Sequence, residues 1–236
     1  MRANPHKLCT WDPNSACDSC TAQGKLACKW DRRTLLGFQA LSFPPLLTAL
    51  FGMVVVGILT GAWWPLIAYV LYFLVMLGVF EVRFLCSHCP YYAESSTVLH
   101  CLANHGSIKW WGYHPEPMSG LERFLMRFLV STAFLVFPAA ILGYGIWFLS
   151  VHYTEHGLAA LLGFVGVTAA FLFSSVASYV VLKTFYCPRC VNFSCPLNTV
   201  PGSVVAAYLE KNDVMREAWE AAGTSTSLST GWRPDD

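Results

Sequence analysis

The sequence predicts an all-α fold: a four-helix polytopic membrane bundle built from two helical hairpins, with a small Cys-rich N-terminal module. Three observations predict it. Of 236 residues, 55% are hydrophobic and only 12% charged, against roughly 25% charged in soluble domains. The stretches 41–80, 128–151 and 157–182 contain no Asp, Glu, Lys, Arg or His. All fifteen Lys and Arg residues and all ten cysteines fall within 1–40, 81–127 and 183–236. A membrane span needs roughly 17–25 apolar residues, so the first stretch divides into helices over 41–60 and 63–80, reversing at Gly61. A soluble helical core would instead show shorter, amphipathic runs. Basic residues flanking spans mark the cytoplasmic side. The expected protein is therefore multi-pass in the cytoplasmic membrane, with both termini and all cysteines on the reducing side, where thiols serve metals or redox chemistry.

Residues 1–34 form a polar module with Cys9, Cys17, Cys20 and Cys28. It has too few apolar residues to fold by burial alone, and it lacks the basic patch and short apolar core of a secretory leader. The first hairpin, 35–90, opens at Phe43-Pro44-Pro45, where proline in a first helical turn costs little. It ends in Cys86-Ser87-His88-Cys89-Pro90. Residues 91–127 carry Trp110, Trp111, Tyr113 and His114, a composition suited to lying as an interfacial loop in the headgroup layer. The second hairpin, 128–200, repeats the first: a basic residue (Arg83, Lys183), two bulky residues and a C-x2-C follow the second helix in both. Pro138 lies deeper in its span and should distort it. The small residues Gly163, Gly166, Ala170, Ser174, Ala177 and Ser178 share one face of the fourth span and would admit close helix packing. A cytoplasmic helix is expected near 201–222, with Val205, Leu209, Met215 and Trp219 on one face, then a disordered tail over 223–236.

The cysteine spacing carries the chemistry. Cys9, Cys17, Cys20 and Cys28 read C-x7-C-x2-C-x7-C. The tight central turn aims two sulfurs at one point, and the outer pair completes four thiolates for zinc or an iron–sulfur cluster. Zinc is the first expectation, since a structural metal would give the module a reason to fold. Cys86 and Cys89 end one hairpin, and Cys187 and Cys190 end the other. Side-by-side hairpins would bring both turns into a four-thiolate site, with Cys101 and Cys195 nearby. His88, His100 or His105 could add nitrogen ligands. Here an iron–sulfur cluster is preferred over zinc, since Cys89-Pro90 and Cys195-Pro196 are the Cys-Pro pairs of cluster loops.

The segments 83–90 and 190–197 resemble the Cys-x3-Cys-Pro elements of polytopic membrane ferredoxins related to the quinol-dehydrogenase subunits of nitrate and nitrous-oxide respiration. The resemblance covers those two segments, and their spacing departs from it: two residues separate Cys86 from Cys89, and four separate Cys190 from Cys195. It implies electron transfer at the cytoplasmic membrane surface.

Other chemistry is thinly represented. His152 and His156 have the i,i+4 spacing of a metal pair but sit in a short outer loop. Glu81 is the acidic residue nearest a span interior, with Arg83 as its local partner. The absence of charges within the spans argues against an ion-coupled pump. No phosphate-cradling loop, Ser/His/Asp set or nucleic-acid surface is present. The expected function is iron–sulfur electron transfer between a cytoplasmic redox partner and a lipid-soluble acceptor such as quinone, with 110–114 walling the acceptor site and membrane lipid all around. The alternatives are a scaffold or assembly protein with structural zinc, or a cysteine-dependent enzyme (Cys101 beside His100 or His105) acting on lipid-attached substrates.

Overall fold

The computed structural model describes residues 4–223. Residues 224–236 of the tail expected to be disordered lie outside that range. In chain order the helices are α1 (Arg32–Thr60), α2 (Trp64–Val75), α3 (Gly120–Ser131), α4 (Phe137–Val151), α5 (Tyr153–Val181), α6 (Gly202–Leu209) and α7 (Asp213–Ala221). Met76–Leu85, Thr132–Val136 and Leu182–Tyr186 are π-helical. Among the described residues the β-structure is one isolated bridge, Val98 with Ile108. Four helical stretches are long and apolar enough to cross a membrane: Arg32–Thr60, Trp64–His88, Gly120–Val151 and Tyr153–Arg189. Only 11% to 33% of their apolar windows is buried within the protein. So much outward apolar surface suits lipid and would aggregate in water. The chain is a multi-pass membrane protein of all-α class.

It divides into two compact units, one of Leu36–Met76 with Phe128–Val180 and one of Met1–Leu35, Leu77–Arg127 and Val181–Asp236. The first holds the four apolar helices. Ala49 and Val56 of α1, Leu142 and Leu149 of α4, and Phe164 and Phe171 of α5 form its core. Tyr69 of α2 meets Phe137 at a ring distance of 5.4 Å. Gly61, with φ of 70°, makes the expected reversal, a conformation that favours glycine. Gly157, with φ of 78°, breaks the backbone just inside α5.

Close packing falls elsewhere than expected. Gly163, Gly166 and Ala170 are exposed, and a Cβ on either glycine would meet nothing within 4 Å. The tight glycines are Gly57, where a Cβ would meet the Trp63 ring at 2.8 Å, and two between helices: Gly52, where it would run into Leu142, and Gly145, where it would meet Phe164 Cε1 at 2.5 Å and Val56 Cγ2 at 2.8 Å. A large side chain from a neighbouring helix needs the room there. Regular small-residue spacing on one helix does not reveal such a partner.

The prolines correct a second expectation. α1 does not begin at Pro44-Pro45 but runs through both. It starts at Arg32 because Asp31 caps it, accepting from the Thr34 N–H at 2.9 Å and the Thr34 hydroxyl at 2.8 Å. Pro45 has no N–H for the Leu41 carbonyl one turn back. The Ser178 hydroxyl of α5 donates to that carbonyl instead, at 2.8 Å. The distortion expected at Pro138 takes the form of the π-helical turn Thr132–Val136 directly before α4, a common way to absorb an irregular helix position.

The second unit joins three chain segments around one core. Leu8, Ala22 and Leu26 pack with Tyr91, Tyr92 and Leu99, with Val191 and Phe193, and with Val205, Tyr208, Leu209, Met215 and Trp219. The 91–127 segment, expected as an interfacial loop, is thus woven into a folded body. Its 97–109 stretch is a small hairpin, closed by Leu99 N–H to Ser107 O at 2.8 Å and Lys109 N–H to Thr97 O at 2.9 Å. The helix expected near 201–222 is two helices, although Val205, Leu209, Met215 and Trp219 are all buried as expected. The break falls at Asn212, whose side chain holds the N-terminal module instead of capping α7.

Candidate metal centre

The two C-x2-C turns have the same local build. π-helical Met76–Leu85 runs into a 3-10 turn at Cys86–His88, and π-helical Leu182–Tyr186 runs into one at Cys187–Arg189. Cys89 N–H bonds Cys86 O at 2.9 Å, and Cys190 N–H bonds Cys187 O at 3.4 Å. Both second cysteines leave the turn extended, at φ −85°, ψ 135° and φ −77°, ψ 128°. The repeat seen in the sequence therefore recurs as backbone geometry.

Buried asparagines hold the turns together. Asn192 donates from Nδ2 to the Leu85 carbonyl at 2.9 Å, a direct tie between the two halves. Asn198 donates to the Cys190 and Asn192 carbonyls, both at 2.9 Å, and accepts from the Val200 N–H at 2.9 Å. Side-chain amides of this kind are short enough to reach backbone groups that no helix or strand satisfies.

The thiols of Cys89, Cys101, Cys190 and Cys195 lie within electrostatic reach of one another. Burial raises Cys89, the neighbouring Cys190 and Cys101 raise it further, the Tyr91 N–H opposes them, and Cys195 adds to the rise. Burial pushes Cys101 up to about 12 against the Ala103 and Asn104 N–H groups, with Glu81 and Cys190 adding to it. Burial takes Cys190 up to about 11 against the Asn192 N–H. Cys195 is raised by burial and by Cys190, while the Leu197 N–H opposes. Each of these four sulfurs thus takes a backbone N–H from two residues further on. Such donors favour the thiolate, whereas the dry surroundings disfavour it. A bound cation resolves that conflict, because metal binding displaces the thiol protons.

The expected set was Cys86, Cys89, Cys187 and Cys190. The structure makes all six membrane-proximal cysteines neighbours: Cys89 lies within electrostatic reach of Cys190, Cys101 and Cys195, Cys86 within reach of Cys101 and Cys89, and Cys187 within reach of Cys190 and Cys195. Asn104 Nδ2 lies 3.7 Å from the Cys86 sulfur. Cys187 adds its charge to both Cys190 and Cys195. All ten cysteines are free thiols. Among the described residues, no group of three or more His, Cys, Asp or Glu could hold a metal ion as placed. A single tetrahedral zinc would need sulfurs about 3.8 Å apart. These thiols are neighbours that do not close on one point.

The candidate histidines serve other partners. His88 Nδ1 donates to Glu116 O at 2.7 Å, and its Nε2 faces Glu122 at 3.9 Å. His100 Nδ1 bonds buried Glu94 at 2.5 Å. His105 stacks on Trp30 at 5.4 Å. His152 stacks on Phe148 at 4.3 Å, and its Nδ1 meets the Phe148 carbonyl at 3.0 Å. Arg83 pairs with Glu122 at 3.7 Å rather than with Glu81. Glu81 instead faces the thiol group, acting on both Cys101 and Cys195. Its place five residues before Cys86 in a helical segment was the signal available for it.

The N-terminal set also assembles. Cys20 N–H bonds Cys17 O at 3.0 Å, closing the central turn. Burial pushes Cys28 up to about 12, with Cys9, Cys20 and Cys17 adding to it and Lys29 opposing. Asn212 accepts the Cys9 N–H at 2.8 Å and donates to the Cys9 sulfur at 3.3 Å. No family model, curated protein or solved structure matches the chain.

Proposed function

We propose that this protein is a membrane-embedded redox metalloprotein. Cys89, Cys101, Cys190 and Cys195 hold an iron–sulfur centre at the cytoplasmic membrane surface, with Cys86 and Cys187 beside it. The observation that carries this reading is that four buried or half-buried thiols, from segments about a hundred residues apart in sequence, gather with a backbone N–H on each sulfur. An iron–sulfur cluster accepts and releases one electron at a time, at a potential tuned by burial and hydrogen bonds to its sulfurs. The chain's own residues supply those two factors. The amides of Tyr91, Ala103, Asn104, Asn192 and Leu197 face the sulfurs, and Cys89 and Cys101 are buried in the surrounding core. The partners we assign are a cytoplasmic redox protein and a membrane quinone, which takes two electrons and two protons to become quinol. Trp110, 64% exposed, offers an aromatic surface for that ring. The clustering of all fifteen Lys and Arg residues supports cytoplasmic termini in the cytoplasmic membrane.

The test is metal and acid-labile sulfide analysis of anaerobically purified protein, with its visible spectrum, before and after Cys89→Ser plus Cys190→Ser. Brown protein that loses about four irons per chain in the double variant bears the proposal out. Colourless protein with zinc, or iron unchanged in the double variant, overturns it.

A further inference from the structure

The N-terminal cysteines line one half-open pocket. About 440 Å³ of open space is lined by Cys9, Cys17, Cys20 and Cys28 together with Lys29 and Tyr208. A mononuclear zinc site needs four sulfurs about 3.8 Å apart around one ion, and these four are not drawn in to that spacing. Nor could any three cysteines of this set hold a metal ion as placed. The thiols are still close enough to act on each other's ionisation, Cys9, Cys20 and Cys17 all acting on Cys28. Four thiols lining a space larger than one ion match a polynuclear centre, in which several irons and bridging sulfides lie between the cysteine sulfurs.

The charges lining the pocket agree. An iron–sulfur cluster with four thiolates is an anion, whereas its apolar surroundings would otherwise repel charge. Lys29 acts on both Cys9 and Cys28. Its ammonium is fixed in place by the carbonyls of Cys9 at 2.8 Å and Asp12 at 2.7 Å. Lys7 and Lys211 line the same pocket, with Asp12 the one acidic residue among the described residues of its lining. The Asn212 Nδ2 donor on the Cys9 sulfur supplies a hydrogen bond of the kind that tunes such clusters.

The set also lies close to the other thiols. Tyr91 donates its hydroxyl to the Ala27 carbonyl, next to Cys28, at 2.6 Å. The thiols acting on it include Cys89 and Cys190 as well as Cys28. Ala27 N–H bonds the Arg189 carbonyl, next to Cys190, at 2.7 Å. Tyr91 is therefore within reach of thiols of both groups.

We infer that Cys9, Cys17, Cys20 and Cys28 hold a second iron–sulfur cluster, not zinc, and that Tyr91 lies between it and the membrane-proximal cysteines. The inference adds a second centre to the function proposed above. Its test uses the full chain, purified anaerobically in detergent, and compares it with Cys17→Ser plus Cys20→Ser. The variant is expected to lose about four irons and four sulfides per chain while the iron lost in Cys89→Ser plus Cys190→Ser stays in place. Zinc at one per chain, lost in the Cys17/Cys20 variant with iron unaltered, overturns the inference and leaves the membrane-proximal centre standing. Lys29→Gln provides a readout that keeps every ligand. Removing a cation beside a cluster disfavours the added electron, so one of two reduction steps should move to lower potential. A titration with no step displaced contradicts the inference.

Discussion

Asn192 does work at the residue scale that its neighbours in the sequence do not hint at. Its amide crosses from one C-x2-C turn to the Leu85 carbonyl that introduces the other, and it is 6% exposed. Asn192→Ala removes the donor and leaves a buried carbonyl without it, at a cost of about 1–3 kcal/mol. The expected result is a lower melting temperature and iron released faster to a chelator than from the unaltered protein. Asn192→Asp should behave like the alanine variant, because a carboxylate cannot donate to Leu85; retention of native stability in both would remove the cross-tie. The sequence made the cysteines conspicuous and left this residue inconspicuous. Cysteine spacing is local, whereas the role of Asn192 depends on which carbonyl the other half of the chain presents to it. For the same reason Cys101 and Cys195 looked like extras. Their equivalence to Cys89 and Cys190 lies in the N–H of the residue two places on, which spacing alone does not disclose.

At the scale of elements, the apolar runs located all four long helices, because a span must satisfy its backbone internally and fill its outer surface with apolar side chains. Their ends and irregularities were less legible. Pro44 and Pro45 read as a helix start, yet α1 passes through them. What makes that tolerable is a hydroxyl on a residue 137 positions away. Ser178→Ala should therefore destabilise the helical unit by about 1 kcal/mol, and Ser178→Thr should preserve most of that stability. Thermal unfolding in detergent measures both, and no difference between Ala and wild type would assign the proline site another source of compensation. The expected small-residue face on α5 packs at its Ser178 end, against α1, and not at Gly163 and Gly166, for a related reason. Gly145 is needed because Phe164 and Val56 press on it from other helices, and glycine spacing along one helix says nothing about what faces it.

For the whole molecule, the sequence partition of charge and sulfur carried the widest prediction. Both termini, the 81–127 segment and every cysteine should share one side of the membrane. An impermeant thiol reagent applied to intact cells should leave Cys17 and Cys20 unlabelled, while the same reagent on opened cells labels them once metal is stripped. Labelling from outside would reverse the topology and with it the assignment of partners. The division into two units was only half legible. Hydropathy separated the lipid-facing helices from the rest, but it presented the rest as a tail, a loop and another tail. Those pieces share one core because Leu8, Leu99, Phe193 and Trp219 are all buried in it, and apolar residues so widely spaced produce no periodic signal.

That shared core has a consequence for how the protein is made. Translation exposes Cys86, Cys89 and Cys101 long before Cys190 and Cys195 exist, and a complete span, Tyr153–Arg189, must leave the ribosome in between. The asparagine clasp that joins the two turns arrives with the later pair. Until then the early thiols have neither their partners nor the fold that shields them, so the proposed cluster could be loaded only after the last helix is inserted.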